Sequence, residues 1–280
     1  MAICPVCIHH CDLKEGASGR CLARSCVGGR IVPANYGIVT SLALDPIEKK
    51  PLSRFHPGSR ILSVGSYGCN LSCPFCQNHG ISHPEALDAL LASSRHVSPE
   101  ELASLAERFV PEGNIGVAFT YNEPLVGYEY VRDCAERIHA RGLKTVLVTA
   151  GLAEESVCDA LDGLIDAMNI DLKAFSDRFY EKLIGGDRRC VMRFIEKAAS
   201  FSHVELSCLI IPGENDSESE MEELASWVAS LPGGSDIPLH VSRFFPRYRM
   251  QDRPPTDVGL VYSLAETASR HLKYVNTGNC

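Results

Sequence analysis

The run GCNLSCPFCQNHG, residues 68–80, sets Cys69, Cys73 and Cys76 at CxxxCxxC spacing between glycines. Three thiolates on one short loop fall one short of the four protein ligands that a structural zinc takes in tetrahedral geometry. They suit an iron–sulfur cube better, with three irons held by the chain and one left open. An open iron can take a ligand that is itself to be transformed, so the spacing points to chemistry at the cluster and not merely to electron storage. A second thiol-rich stretch, CPVCIHHCDLKEGASGRCLARSC, carries Cys4, Cys7, Cys11, Cys21 and Cys26. Cys4, Cys7, Cys11 and Cys21 are enough to close either a structural zinc or an auxiliary [4Fe-4S] site, since thiolates suit both metals. Cys134, Cys158, Cys190 and Cys208 stand alone in apolar surroundings, where a free cysteine behaves as a small buried hydrophobe. Cys26 and Cys280 are assigned no role.

The rest of the composition narrows the class. The start, MAICPVCIHH, lacks a basic region followed by an apolar stretch, and no apolar run approaches the length that spans a bilayer. A cytoplasmic location without membrane contact is expected, and there thirteen cysteines are kept reduced and do not form a disulfide framework. The formal net charge is −8 and the basic residues are spread along the chain, so nucleic acid is not an expected partner. With 280 residues, 45% hydrophobic and 22% charged, the chain is an ordinary globular one that can bury a barrel-sized core.

The elements that must position these thiols are legible from residue 60 onward. RILSVGSYG, IGVAFTY, KTVLVTAG, DAMNIDLKA, HVELSCLIIPG and DIPLHVSRF read as six strands, near-continuously apolar and separated by helical patterns. Such strands imply an α/β fold with a parallel sheet, and six units imply a partial (β/α)6 barrel. SPEELASLAERFV reads as a helix with Ser98 and Glu101 in a capping box, and NDSESEMEELASWVASLPGG as a helix with an acidic first turn. HPEALDALLASSRH reads as a short helix or lid after the cysteine loop. Three regions follow: a Cys-rich metal-binding segment, 1–30; a connecting segment packing on the barrel, 31–59; and the barrel, 60–280. Chemistry in parallel barrels gathers at the C-terminal strand ends. That is where the cysteine run, TYNEP (120–124), VTAG (148–151), DLK (171–173), IPGEND (211–216) and HVSRFFP (240–246) all fall.

With Phe75 just before its last cysteine, the CxxxCxxC run on the first loop of a six-unit barrel resembles the radical S-adenosylmethionine superfamily. More narrowly, DPIEKKPLSRFHPGSRILSVGSYGCNLSCPFCQN, FTYNEP, NIDLKAFSDRFYEKLIGG and IPGENDS resemble the radical enzyme of the AmmeMemoRadiSam system, a relative of pyruvate formate-lyase activating enzymes. The resemblance covers nearly the whole chain. It implies a [4Fe-4S] cluster on Cys69, Cys73 and Cys76 whose fourth iron is chelated by S-adenosyl-L-methionine. Reductive cleavage would then give methionine and a 5′-deoxyadenosyl radical that abstracts a hydrogen atom.

The same resemblance implies cofactor-side roles for Phe75, Asn122, Glu123, Thr149, Asp171, Lys173, Gly213 and His240. Glu123 would face the methionine ammonium, Asp171 and Lys173 the sugar or carboxylate, His240 the ribose, and Gly213 the adenine through a backbone turn. The CxxCxxxC start of the chain resembles the same family. Implied partners are an electron donor such as flavodoxin or ferredoxin and a protein or small-molecule substrate, Memo-like and AmmeMemo-related proteins among them. Two alternatives stand beside this reading: an activase of a glycyl-radical enzyme, and a non-catalytic iron–sulfur carrier or scaffold. The chain departs from the family in reading Phe244-Phe245-Pro246 where relatives often have FHP, and in stopping at Cys280 where many continue into a CxxC segment.

Overall fold

Apolar strands joined by helices can bury both faces only in a parallel sheet covered by those helices. The computed structural model, which describes residues 1–280, has this arrangement. Its main sheet contains β1 (Ser41–Pro46), β2 (Arg60–Gly65), β3 (Asn114–Phe119), β4 (Lys144–Thr149), β5 (Ala167–Asp171), β6 (His203–Ile210), β7 (Leu239–Arg243) and β8 (Val275–Gly278). The strands lie side by side in chain order, β2 to β8 parallel and β1 antiparallel to β2 with Leu44 opposite Leu62. The six expected strands are β2 to β7, and β1 and β8 extend the sheet at its two edges.

Residues 31–59 therefore do more than connect, because they supply β1. The boundary expected at residue 30 falls inside a hairpin, Arg24–Val27 paired with Arg30–Pro33.

The helices are α1 (His79–Ser82), α2 (Leu87–Ser93), α3 (Pro99–Arg108), α4 (Tyr128–His139), α5 (Glu155–Asp159), α6 (Arg188–Ala198), α7 (Glu218–Ser230) and α8 (Val258–Ser269). Ser98 and Glu101 form the capping box of α3, and Asp187, Ser217 and Asp257 cap α6, α7 and α8 through their side chains. These caps satisfy N–H groups that the first helical turn leaves open. The helices α3 to α8 each turn apolar residues inward, as α6 does with Val191, Phe194, Ile195 and Ala198, whereas α2 buries none. The stripes and strands meet in one core of 58 buried residues that includes Cys134, Cys158, Cys190 and Cys208. No helix is long and apolar enough to cross a membrane.

Inside the barrel, near the strand starts, the lining is polar. Glu205, with its side chain fully buried, accepts hydrogen bonds from the Ser53 and Arg54 N–H groups (2.9 and 2.7 Å) and from the Ser53 hydroxyl (2.9 Å). His203 and His240 each turn Nε2 to the same carboxylate, at 3.0 and 2.7 Å. Asn169 donates to the Pro51 carbonyl at 2.8 Å, and Asn276 to Ser53 Oγ at 3.1 Å. The segment after β1 is thereby stapled across the barrel as its floor, and the opposite end of the strands stays open.

Candidate active site

At that open end lies a cavity of about 630 Å³. Cys69, Cys73 and Cys76 line it together, on the loop that leaves β2. Loops hold thiols in place only if their own backbone groups are satisfied, and this one is stapled on several sides. The Cys76 N–H donates to the Cys73 carbonyl (3.2 Å), the Ser72 N–H to Ile184 (2.8 Å) and the Arg249 N–H to Pro74 (2.9 Å). Asn122 anchors its start: Oδ1 accepts from the Ser66 N–H at 2.9 Å while Nδ2 donates to the Tyr67 and Gly68 carbonyls, both at 3.2 Å. The Leu71 N–H donates to Cys69 Sγ at 3.4 Å, the kind of contact that favours a thiolate. In the metal-free chain burial pushes the Cys69 thiol up, with Glu123 adding to the shift, and pushes Cys73 up to about 12. Phe75 also lines the cavity, and its ring lies 6.3 Å from that of Phe179.

Across the cavity stand Glu123, Thr149, Asp171 and Lys173, brought from the ends of β3, β4 and β5. Glu123 is 2% exposed. Oε1 accepts from the Thr149 hydroxyl (2.6 Å) and the Leu125 N–H (3.1 Å), and Oε2 from the Ala150 N–H (2.8 Å). Burial raises its pKa, and these donors and Lys173 work against that rise. Thr149 is thus a partner of Glu123 in addition to lining the cavity. Lys173 Nζ is 2.8 Å from Asp171 Oδ2. Burial opposes the ammonium charge, but Asp171 and Cys73 more than offset it and hold Lys173 above its ordinary range.

Two expected residues do not reach the cavity. His240 lies on the barrel floor with its Nε2 bound to Glu205, because its place near the start of β7 is a strand's depth from the open end. Gly213 sits in an exposed turn, its N–H bound to Asp216 Oδ2 at 2.9 Å. No atom lies within 4 Å of where a Cβ would be, so no close approach requires a glycine there beyond its φ of +78°. In its stead Asn215 fixes the loop, donating to the Lys173 carbonyl at 2.7 Å and accepting from the Ile211 N–H at 2.7 Å.

Other residues at the cavity were not expected from the sequence: Ser207 and Ser242 on its wall, and Arg243, Phe245 and Arg247 at its mouth. The HVSRFFP run was legible as a strand end, but nothing in its spacing says which side chains turn inward after β7.

Cys4, Cys7, Cys11 and Cys21 come together around a second, small cavity behind the cysteine loop, while Cys26 points elsewhere, toward Glu15, and Cys280 is exposed. No three His, Cys, Asp or Glu side chains stand at the spacing of ligands around one metal ion. A cube asks for something different from its ligands, since each thiolate takes a separate iron. Cys69, Cys73 and Cys76 meet that requirement on one cavity wall, and 630 Å³ lies within the roughly 300–1,000 Å³ typical of small-molecule pockets.

A sequence model of the Radical SAM superfamily matches residues 63–228. Over 280 residues the chain is 36% identical to the uncharacterized protein MJ0808 of Methanocaldococcus jannaschii, covering 99% of this chain and 80% of that protein. It is 24% identical over 204 residues to the benzylsuccinate synthase activating enzyme of Thauera aromatica, covering 70% of this chain and 60% of that enzyme's length. Its fold is similar to a domain of pyruvate-formate lyase-activating enzyme from Bacteroides vulgatus, with a TM-score of 0.50 and 20% identity, covering 59% of this chain and 99% of that domain. Radical SAM membership implies a [4Fe-4S] cluster and S-adenosylmethionine, and the three-thiol loop facing a ligand-sized cavity fits both. The matched segment opens on β2, carries the cysteine run and includes Glu123, Thr149, Asp171 and Lys173 at the cavity: the chain belongs to the radical SAM superfamily.

Proposed function

We propose that the chain is a radical SAM enzyme of the AmmeMemoRadiSam type, acting on a protein or small-molecule substrate that reaches the open end of the barrel. The observation that carries this reading is the placement of three thiols of one loop against a 630 Å³ cavity, with Glu123 and the Asp171–Lys173 pair across it. A cluster that only stores electrons is normally capped by protein on every iron and needs no such cavity. When bound, the cluster supplies one electron to S-adenosylmethionine, whose carbon–sulfur cleavage leaves methionine and a 5′-deoxyadenosyl radical that takes a hydrogen atom from substrate.

Cys69, Cys73 and Cys76 hold the cluster in this reading. Glu123 faces the ammonium of the methionine moiety with one lone pair left beyond its three protein donors. Lys173 and Asp171 present paired charges to the carboxylate and the sugar hydroxyls, and Asn122 positions the loop. A low-potential flavodoxin or ferredoxin in the cytoplasm is the matching electron donor.

Anaerobic reconstitution with iron and sulfide, followed by S-adenosylmethionine and dithionite, tests the reading. The expected products are 5′-deoxyadenosine and methionine, and a carrier or scaffold forms neither. Activation of a glycyl-radical enzyme is a second reading, favoured by the likeness to the Thauera aromatica activating enzyme. Deuterium carried into 5′-deoxyadenosine from a labelled Memo-like partner supports the first reading, and from a labelled glycyl-radical protein the second.

A further inference from the structure

Four thiols of the amino-terminal segment converge behind the cysteine loop. Cys4, Cys7 and Cys21 are buried, Cys11 is half-buried, and all four line one cavity with Arg24 and Asn70. The backbone brings them there, the Cys4 N–H donating to the Cys11 carbonyl (3.0 Å) and the His10 N–H to Cys7 (3.1 Å). No three of these side chains stand at the spacing of ligands around one metal ion. A cube takes a separate iron on each thiolate and so asks for a wider set than zinc does.

A second observation points to an anion in the cavity. The Arg24 side chain is buried, 4% exposed. Two of its nitrogens clamp Glu129 at 2.7 and 2.8 Å, but Nε, with Cys4 beside the group, has no hydrogen-bond partner. A buried donor left open costs about 1–3 kcal/mol, and sulfide or thiolate acceptors would remove that cost.

The position of the cavity suggests its use. Asn70, which lines it, directly follows Cys69, and the His9 imidazole contacts the Asn70 carbonyl at 2.8 Å. Gly68, at φ +94°, packs so closely on the segment that a Cβ there would lie 2.8 Å from that of Ala23. Adjacent residues thus face the two cavities, Cys69 the barrel cavity and Asn70 the amino-terminal one.

We propose that Cys4, Cys7, Cys11 and Cys21 bind a second [4Fe-4S] cluster, and that it passes single electrons to the barrel cluster. One electron enters from a low-potential one-electron donor and one leaves to the barrel cluster, with no bond made or broken. The relay rests on the barrel cluster of the proposed function, whereas the second site does not.

Anaerobic reconstitution with iron and sulfide, read by metal analysis and electron paramagnetic resonance, separates these claims. Wild type should bind about eight irons, and the Cys69→Ala/Cys73→Ala/Cys76→Ala variant about four with a reducible cluster signal. That variant leaves the amino-terminal segment intact, so misfolding of a Cys4→Ser/Cys7→Ser/Cys11→Ser/Cys21→Ser variant, itself expected to keep about four irons, does not cloud the outcome. One zinc and no iron in the barrel variant overturns the cluster, and neither metal overturns the site. If the barrel cluster alone is absent, the amino-terminal variant holds no iron and the barrel variant still holds four. In fully reduced wild type, magnetic coupling should make the spectrum depart from the sum of the two variants' spectra, and strict additivity overturns the relay.

Discussion

Glu123 is a carboxylate with two duties that pull against each other. Thr149 and Ala150 pin the end of β4 to it, the Leu125 N–H caps it locally, and its burial leaves a desolvated charge at the cavity wall. A charge of that kind is worth most to a cationic ligand because little water screens it. Glu123→Gln should therefore lower S-adenosylmethionine affinity about tenfold, or about 1.4 kcal/mol, while iron content stays that of wild type. Equal affinity in a direct binding measurement counts against the ammonium assignment. The thiols answer to a different test. Alanine at Cys69, Cys73 or Cys76 singly should abolish 5′-deoxyadenosine formation, and its retention in all three variants refutes the cluster assignment. These thiols were legible because their spacing is local, three residues within eight. Arg243 and Arg247 were not, because whether a strand-end arginine turns into a cavity depends on the path of the chain after the strand.

At the scale of elements, the floor of the barrel and the cysteine loop are each held by one unusual residue. Burial alone would raise the pKa of Glu205, but His203, His240 and the N–H groups of Ser53 and Arg54 more than offset it and hold the carboxyl far below its ordinary range. Its folded pKa lies below the unfolded value of ~4.3, so its contribution is complete above that pH and is lost as pH falls below it. Glu205→Gln leaves donors facing an amide and should cost about 3 kcal/mol at pH 7. Its stability should also fall less steeply than that of wild type between pH 5 and pH 3 in urea titrations, and parallel profiles would show that Glu205 titrates alike in both states. Gly68 is the counterpart on the loop. Alanine there would meet Ala23 at positive φ, so Gly68→Ala should cost about 2 kcal/mol and loosen both thiol sets together. An unchanged melting temperature would mean that the loop and the segment are not closely packed. The sequence announced β2 to β7 because apolar strands between helices carry their own signal. It did not announce β1, whose Ser41–Pro46 is mostly half-exposed or exposed and becomes a strand through a pairing with β2.

The molecule as a whole joins a barrel with its own core to a segment that has little. Of residues 1–33, Cys4, Val6 and Leu13 are among the buried apolar residues, Cys4 and Val6 belong to the 58-residue core, and Cys21 and Ala23 share a small cluster with Val126. The segment is otherwise tied to the barrel by polar links: Arg24 to Glu129 (2.7 Å), the Val6 carbonyl to the Glu154 N–H (2.9 Å) and His9 to Asn70 (2.8 Å). This is why the sequence suggested a metal-organised appendage there and could not place its end: a few short strands around thiols have no periodicity to read, and the closing hairpin depends on pairing across residue 30. Such a segment draws its order from whatever its thiols hold, since metal binding energy becomes folding energy where the core is small. Removing metal with a chelator under anaerobic conditions should therefore open residues 1–33 well before the barrel. Lys14, Arg20 and Arg30 are exposed, so trypsin reports the event directly. Cleavage at these sites should quicken at least about tenfold after chelation, corresponding to about 1.4 kcal/mol of lost local stability, and leave a resistant fragment that begins near residue 31. Simultaneous digestion of the barrel would mean that the two parts fold as one cooperative unit. An unchanged cleavage rate would mean that Cys4, Cys7, Cys11 and Cys21 contribute to order only as buried apolar groups.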